Sequence, residues 1–448
     1  MIQTKNDSFA ALRYKDFRSW FGIRFFFTFA YQMQATITGF YIYQLTHSKV
    51  ALAFLGLSEV IPALGMALYG GYITDKSEKR KMLLLIYTAS ICTSLVMFIV
   101  TLNGGNGQDH VHRILLVIYA MICCNGIIRA FYEPVTFAIY AHSVPRSLYP
   151  NASNWSNLSC QSASIFGPLA GSLIYACAGH IIPGLQGISA TYAAIIFFLL
   201  ISLVLVYRLR KYPAIPEKKE NIRKNFTAGI HFVFHNKMML YAMSLDLFSV
   251  LFGGVLALLP VYALDILMVG PEGLGMMRVA SSLGAALTMV ALVRFPPTAK
   301  PWRNLLIAVT GFGCSIIAFG LSHSFLFSLI FLFAQGAFDS VSVVIRSTLM
   351  QLLTPDSMRG RVSAVNSMFI GSSAEIGNFE SGMTAKLLGT IPAVLFGGAM
   401  TLLIVVFTYF KTKKLLHLPI TDIADGRVEI LAPSNLLIKP PASSPASS

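Results

Sequence analysis

The sequence predicts an all-α membrane protein with twelve transmembrane helices, and three features of the chain support this prediction. First, only 12% of its 448 residues are charged, about half the roughly 25% that is usual in soluble domains. Second, apolar runs of about 20 residues recur, which is the length a helix needs to cross a bilayer. Third, the cations fall mostly on one side of these runs. The predicted spans are about 17–45, 50–74, 81–102, 113–142, 151–178, 188–207, 239–266, 273–293, 303–322, 324–352, 361–386 and 391–410.

The placement of the cations predicts the topology. The net charge is +15, and 27 of the 34 Lys and Arg residues fall in the termini or in the loops after even-numbered spans. Lys49, Arg113 and Lys386 fall on the opposite side. Since short cytoplasmic loops are enriched in Lys and Arg, we expect an integral plasma membrane protein, in a bacterial cytoplasmic membrane, with both termini cytoplasmic. The basic excess then reflects topology and attraction to anionic lipid heads, and nucleic-acid binding is not expected.

Internal repetition and composition divide the chain. At an offset of 210 residues, Gly126 recurs as Gly336 and Pro145 as Pro355, which indicates two related halves. The stretch between spans six and seven is rich in Lys and Arg, and the end of the chain is a low-complexity Pro, Ala and Ser segment typical of disorder. We predict an N-terminal six-helix bundle, a cytoplasmic linker, a C-terminal six-helix bundle and a partly disordered cytoplasmic tail, at residues 1–206, 207–236, 237–410 and 411–448.

A short charged loop between spans two and three carries the most specific pattern. Gly71, Asp75, Lys79 and Arg80 fall in the register Gly-x-Leu-x-Asp-x-x-Gly-Arg-Lys, with Glu78 at the second glycine position. The pattern resembles the loop 2–3 signature of the major facilitator superfamily. The resemblance implies that Gly71, Asp75, Lys79 and Arg80 form a gate. Asp75 is then expected beside the N-terminal end of a helix from the other half, where the helix dipole favours a negative charge. Lys79 and Arg80 are expected to pair with acids or lipid heads.

Three further segments resemble one branch of that superfamily, which contains enterobactin exporters and macrolide-efflux proteins. They are Asp16-Phe17-Arg18 followed by Arg24, Tyr43-Gln44-Leu45-Thr46-His47-Ser48, and Glu59-Val60-Ile61-Pro62. The resemblance covers about residues 9–410 and implies the major facilitator fold, which consists of two pseudo-symmetric six-helix bundles. It also implies that substrate binds near the membrane midplane, between the bundles.

Ionisable residues within the predicted spans are the candidates for a substrate and proton pathway. Each costs at least about 2.5–3.5 kcal/mol at membrane depth, so each needs a partner or a water-filled cavity. Arg129 and Glu133 are four residues apart and share a helix face, so they are predicted to pair, with Glu133 as the preferred proton carrier. The candidates are Arg24, Arg129, Glu133, Asp246, Asp339 and Arg346, and the further buried acids are Glu59, Glu375 and Glu380.

The repeat predicts how some of these charges meet. An offset of 222 aligns Arg24 with Asp246, and the offset of 210 aligns Arg129 with Asp339. In the major facilitator fold the spans that contain them line the central cavity, so the resemblance implies that these opposite charges pair across it. Such pairs either handle substrate and protons or hold the halves together, and the sequence leaves both possibilities open. Arg278, near the outer end of span eight, is expected to snorkel toward the membrane surface.

Two other spans contain small residues that indicate close packing. Gly167-Pro168-Leu169-Ala170-Gly171 in span five resembles the Gly-Pro-x-x-Gly core of the antiporter signature. Proline bends a helix and small neighbours allow close helix contact, so this segment either serves antiport or is a routine kinked, close-packed helix. Residues 375–382 of span eleven are small and acidic, and a gate at the outer half of the cavity is expected there.

Together these features predict a secondary active transporter that exports an amphipathic small molecule, siderophore or drug-like, by alternating access and driven by inward proton flow. The sequence contains no glycine-rich phosphate loop, metal-ligand spacing or hydrolase arrangement, so an enzyme, a cofactor and direct use of ATP are not expected. A proton-coupled uptake symporter of a polar solute and a non-transporting membrane enzyme or sensor on the same fold remain as alternatives. The expected partners are the substrate, protons and the lipid bilayer, with the protein as a monomer.

Overall fold

The computed structural model shows a helical chain. It describes residues 9–102, 108–145, 148–181, 186–211, 222–295, 297, 300–355 and 358–416, and the side chains of a few helical residues, Asp75 among them, are outside that description. The helices are α1 Lys15–Thr46, α2 Lys49–Lys76, α3 Lys79–Leu102, α4 Gln108–Ser143, α5 Tyr149–Ile181, α6 Gly187–Tyr207, α7 Ile222–His235, α8 Lys237–Phe252, α9 Val255–Val261, α10 Gly270–Arg294, α11 Pro301–Leu321, α12 Phe325–Leu353, α13 Arg359–Leu388 and α14 Thr390–Lys411. The described residues contain no strand, and the predicted all-α class is confirmed.

Nine of the described helical segments are long and apolar enough to cross a membrane. One of them, Lys237–Ile266, contains α8 and α9 end to end, separated by Gly253 and Gly254. Helices α1, α5 and α13 have 32, 33 and 30 residues and also exceed the length needed to span a bilayer. Their sequences are more polar, as Gln32 and Gln34 of α1 illustrate. The helix order is consistent with the twelve predicted spans.

The predicted linker and tail are described only in part. Helix α7 occupies Ile222–His235, within the predicted linker, and α8 follows after a single residue. That residue, Asn236, caps α8, because its side-chain oxygen accepts the amide proton of Met239 at 3.1 Å. Residues 417–448 lie outside the described part of the chain, so disorder of the tail stays a prediction.

The membrane helices pack as two groups, and each group has its own core. In the first group α1 packs against α5 and α6, and in the second α10 packs against α12 and α11 against α14. Trp20 is buried in the first group and donates its indole N–H to the carbonyl oxygen of Thr136 at 3.0 Å. Trp302 is buried in the second group and donates to Oγ1 of Thr412 at 2.8 Å. A buried indole needs a hydrogen-bond partner, and each finds one inside its own group.

The two groups meet mainly through two helix pairs, α2 with α13 and α5 with α10. We call the end of the molecule where α1 begins the near end, and the opposite end the far end. At the far end Tyr43 of α1 donates to the carboxylate of Asp265, just beyond α9. Lys49 donates to the carbonyl oxygen of Ala385 at 3.3 Å, and Leu52 packs in one buried cluster with residues of α9. The far end is therefore closed.

Glycines on the joining helices show where the groups separate. A Cβ atom on Gly56 of α2 would lie 3.0 Å from the backbone oxygen of Glu375 on α13, so the helices touch there. Gly371 is one turn from Glu375 toward the near end, on the same face of α13. A Cβ atom on Gly371, or on Gly71 of α2, would meet no described atom within 4 Å. Helices α2 and α13 are therefore in contact from the middle to the far end and apart toward the near end. Helices α5 and α10 stay in contact in their near-end halves, where Nε2 of Gln161 donates to Sδ of Met289 at 3.4 Å.

Candidate functional site

A cavity of about 200 Å³, lined by apolar residues together with several charged and polar ones, lies within the first helix group. Its wall is formed by residues of α1, α3, α4, α5 and α6. Three charged side chains, Arg24, Arg129 and Glu133, contribute to it, together with the rings of Tyr31 and Tyr132. Pockets for drug-sized molecules usually measure about 300–1,000 Å³, so this cavity has to widen to admit one. Its mixture of rings, amides and charges suits an amphipathic ligand.

Arg129 is the centre of a charge cluster beside the cavity. Its Nη1 atom lies 2.9 Å from Oε1 of Glu59 and 3.7 Å from Oε1 of Glu375. The hydroxyl of Tyr31 donates to Oε1 of Glu59 at 2.7 Å, and the Tyr31 ring centroid is 5.7 Å from the guanidinium carbon of Arg129. We call Tyr31, Glu59, Arg129 and Glu375 the central cluster. Because Glu375 belongs to α13 and the others to α1, α2 and α4, the cluster joins the two helix groups.

The absence of a side chain at Gly56 allows Glu375 to approach. A Cβ atom at Gly56 would lie 3.1 Å from Oε2 of Glu375 and 3.2 Å from Cβ of Asn378. Asn378, one turn along α13, donates through Nδ2 to Oε2 of Glu375 at 3.1 Å. One carboxylate oxygen of Glu375 is thus held within its own helix, and the other is directed at Arg129. The residues expected to form an outer gate, 375–382, therefore begin at this contact.

The predicted ion pair between Arg129 and Glu133 is wrong. Arg129 instead forms ion pairs with Glu59 of α2 and Glu375 of α13, which approach it from neighbouring helices. A shared face at four-residue spacing permits a pair but does not select it over partners on adjacent helices. Glu133 instead extends into the cavity with an exposed side chain. No cation of the described residues lies within ion-pair distance of its carboxylate.

Arg24 is the second cation of the cavity wall. Its Nε donates to Sγ of Cys160 on α5 at 3.1 Å, and its guanidinium carbon lies 5.5 Å from the ring centroid of Trp20. Glu133 acts on it electrostatically from across the cavity wall, without direct contact. Among the described residues no carboxylate lies within ion-pair distance of Arg24. The cavity therefore presents one cation and one anion that no direct ion pair neutralises.

The charges of the second helix group form a separate site. Arg346 of α12 contacts the carboxylate of Asp246 on α8, and both side chains are buried. Asp339 interacts electrostatically with both of them. The predicted pairs Arg24–Asp246 and Arg129–Asp339 are therefore wrong, because each carboxylate has its cation within its own group. The repeat relates positions that are equivalent in the two halves, and equivalence does not bring them into contact.

The charged loop between α2 and α3 binds the backbone at two helix ends. Lys79 is buried and donates to the carbonyl oxygens of Thr74 and, at 3.2 Å, Ser77, which satisfies the C-terminal end of α2. Arg80 donates through Nη2 to the carbonyl oxygen of Tyr207 at 2.8 Å, at the end of α6. Among the described residues Arg80 thus has a carbonyl partner where an acid or lipid head was predicted. The predicted contact of Asp75 lies outside the described side chains.

Helix α5 packs tightly between α1 and α10. A Cβ atom on Gly167 would lie 2.8 Å from Cβ of Gln32 in α1, and one on Gly171 would lie 3.3 Å from Met33. On the side of α10 the approach is equally close, because a Cβ atom on Gly275 would lie 2.7 Å from Cβ of Ser172. Pro168 lies inside α5. The contacts favour the close-packed interpretation of the Gly-Pro segment, and a role in antiport stays a prediction.

The sequence did not predict the partners of four ionisable residues near the middle of the membrane. Glu59 and Glu375 were recognised as buried acids but were not included in the pathway, and Tyr31 was not considered as a partner. Arg278 was expected to snorkel, which is wrong: its Nε atom is buried, and the groups that act on it electrostatically are Tyr31 and Glu375. One signal could have indicated this contact: Glu59 and Glu375 are acids within spans two and eleven, and these spans correspond to α2 and α13, which join the two groups. Depth in the membrane could be derived from the sequence, whereas direction around each helix could not.

Comparison with known proteins supports this architecture. Residues 6–434 match the protein family described as transmembrane secretion effector. Over 328 residues the chain is 24% identical to the enterobactin exporter EntS of Shigella flexneri, covering 72% of this chain and 74% of the relative. The enterobactin exporter EntS of Escherichia coli O81 (strain ED1a) gives the same identity and coverage.

Solved structures of transporters share the fold at low sequence identity. A bacterial homolog of the human lysosomal transporter Spinster, in an inward-facing and unoccupied conformation, superposes with a TM-score of 0.68 at 13% identity, over 90% of this chain and 98% of that one. A D-xylose–proton symporter superposes with a TM-score of 0.67 at 13% identity, over 88% and 97%. The chain therefore belongs to the transmembrane secretion effector family and is an integral membrane protein, a secondary transporter of the major facilitator superfamily.

Proposed function

We propose that this protein exports an amphipathic small molecule, siderophore or drug-like, in exchange for inward-moving protons. Two six-helix halves, residues 1–206 and 237–410, rock about the site and expose it alternately at each end. The near end and both termini are cytoplasmic, the membrane is a bacterial cytoplasmic membrane, and the protein acts as a monomer. Export is supported by the two relatives described as enterobactin exporters.

The exposed carboxylate of Glu133 is the observation that carries the proposed proton coupling. It lies in the cavity with no direct cationic partner among the described residues, whereas Glu59 and Glu375 share Arg129. A carboxylate that is not neutralised by a cation can bind either a proton or a donor group of the substrate. Because both ligands need the same oxygens, they exclude one another, and mutual exclusion is what exchange requires.

The other charges give the remaining parts of the proposed pathway. Arg24 and Arg129 border the same cavity and orient polar groups of the substrate, while the rings of Tyr31 and Tyr132 contact its apolar part. The second half contributes Asp246, Asp339 and Arg346. The near-end gate consists of Gly71, Asp75, Lys79 and Arg80, and the bend of α5 consists of Gly167, Pro168 and Gly171.

Transport by purified protein in proteoliposomes with an imposed proton gradient tests the proposal. A panel of siderophores and drug-like amphiphiles identifies a substrate of the wild-type protein. Glu133→Gln is expected to lose transport against a substrate gradient while it still binds the substrate and exchanges it between the two sides. The reason is that the amide keeps the size and polarity of the side chain but cannot take up a proton.

Glu272→Gln is the matched control, because Glu272 is an exposed glutamate at the far-end start of α10. It is expected to transport like the wild type. Wild-type uphill transport by Glu133→Gln would show that the coupling acid is elsewhere, with Asp246 and Asp339 the next residues to replace. Failure of the wild-type protein to respond to a proton gradient with any transported compound would refute proton coupling itself.

A further inference from the structure

Arg278 of α10 is a partly buried cation that has no direct partner among the described residues. Its Nε atom is buried, and no described residue forms a hydrogen bond with it. No carboxylate of the described residues lies within ion-pair distance of its guanidinium group. An arginine at membrane depth is costly unless it is paired or hydrated, so such residues usually have a function. An ion-pair partner in another conformation of the protein would explain why an arginine occupies this position.

Glu375 lies between two arginines that belong to different helix groups. It is 3.7 Å from Nη1 of Arg129, which is in the first group, on α4. That distance exceeds the roughly 2.7–2.9 Å of a strong charged hydrogen bond. Glu375 also interacts electrostatically with Arg278, which is in the second group together with Glu375 itself. Tyr31 and Glu59, the other members of the central cluster, lie on the side of Arg129.

We propose that Glu375 exchanges Arg129 for Arg278 when the two helix groups separate at the far end. The contact between Arg129 and Glu375 crosses the interface, so it has to break when the far end opens. Arg278 moves together with Glu375, because α10 and α13 belong to the same group. In this conformation Glu375 faces Arg129, and in the far-end-open conformation it pairs with Arg278.

This exchange keeps every charge of the cluster paired in both conformations. When Glu375 leaves, Arg129 retains Glu59, which lies 2.9 Å away in its own group and also accepts the Tyr31 hydroxyl. Arg278 is thereby a positioning residue that stabilises one end state of transport without touching the substrate cavity. The inference depends on alternating access between the halves, but not on the identity of the substrate or on proton coupling.

The test measures opening directly, with spin labels on the full-length protein in lipid nanodiscs. A far-end pair at Leu116 and Leu388 and a near-end pair at Leu85 and Val290 use exposed positions, one in each helix group. Labels coupled to a genetically incorporated keto amino acid leave the six native cysteines in place. Double electron–electron resonance then gives the distance distribution at each end without any substrate.

Arg129→Gln is expected to raise the population with the longer far-end distance, because Arg278 is then the cation available to pair with Glu375. Addition of Arg278→Gln is expected to reduce that population by about tenfold, since it leaves the carboxylate unpaired. Addition of Arg278→Lys to Arg129→Gln is expected to retain part of the population with the longer far-end distance. Arg294→Gln, the same substitution at the near end of α10, is the control and is expected to change neither distance.

The proposal is wrong if Arg129→Gln does not lengthen the far-end distances, or if Arg278→Gln leaves its longer population unchanged. Should the Arg129→Gln variants fail to fold, Arg278→Gln is compared with Arg278→Gln/Glu375→Gln. The single variant is then expected to open less at the far end than the double variant, in which position 375 carries no charge. Equal far-end populations in these two proteins would also overturn the exchange.

Discussion

The central cluster and the Asp246–Arg346 pair are both ion pairs in the membrane region, but only the first crosses between the helix groups. Arg346 and Asp246 have side chains that are 8% and 7% exposed, and both belong to the second group. The side chain of Arg129 is 39% exposed, and its two acids come from different groups. A pair enclosed within one group helps to hold the helices of that group together, whereas a half-exposed cation between two acids of different groups can change partners during transport.

Of the substitutions proposed as tests of this comparison, Arg346→Gln is expected to lower the free energy of unfolding the most. Loss of one member of a buried pair leaves the other charge without compensation and typically costs about 3–5 kcal/mol. We expect a loss of stability of that size, measured by thermal unfolding in detergent. Asp246→Asn/Arg346→Gln should recover much of it, with Arg303→Gln on α11 as a control outside the pair. A stable single variant would mean that water or Asp339 rearranges to compensate, and that the pair does not hold the fold.

Much of the helix architecture could be predicted from the sequence, because apolar runs determine where helices cross a membrane. The all-α class follows from the composition, whereas helix α7, which occupies Ile222–His235 of the predicted linker, was not predicted. Helices α1, α5 and α13 were predicted from the sequence, although they are more polar than the other spans. The amides of Gln32 and Gln34 in α1, the amide of Gln161 in α5 and the carboxylate of Glu375 in α13 contribute to this polarity. Helices that enclose a polar pathway have to carry such groups.

The pairing of charges could not be predicted, because a linear pattern gives depth but not direction. Arg129 and Glu133 share a helix face, yet Glu59 and Glu375 reach Arg129 from other helices. The offset of 210 residues aligned Arg129 with Asp339, which instead interacts with Asp246 and Arg346. Which pairs form depends on how the two groups dock, and a repeat within one chain carries no information about docking.

A second, smaller effect is expected for Tyr31→Phe. This substitution removes the hydroxyl that donates to Glu59 at 2.7 Å. A hydrogen bond to a charged group contributes about 1.5–3 kcal/mol, but Glu59 keeps Arg129 at 2.9 Å, so we expect a loss of about 2 kcal/mol. Thermal unfolding measures it, with Tyr69→Phe at an exposed position as the control. Additivity with Glu59→Leu would contradict a direct bond, because each of these two substitutions removes the same hydrogen bond.

The smallest effects are expected from substitution of two glycines, one on each of the joining helices α2 and α13. Gly56→Ala adds a methyl group 3.0 Å from the backbone oxygen of Glu375, so α2 and α13 have to move apart by a few tenths of an ångström. We expect a net cost of about 1 kcal/mol to the closed far end, because overpacking is partly offset by the better helix propensity of alanine. The spin-label pair at Leu116 and Leu388 should report it as a larger population of longer distances.

Gly371→Ala is the matched variant on the open side of the same interface. No described atom lies within 4 Å of its added methyl group, so this conformation bears no steric cost, and alanine favours the helix by up to about 1 kcal/mol. We expect unchanged far-end distances and an equal or slightly higher unfolding temperature. If Gly371→Ala shifted the far-end distances as much as Gly56→Ala, α2 and α13 would be in contact along their whole length. The separation of α2 and α13 toward the near end would then be incorrect.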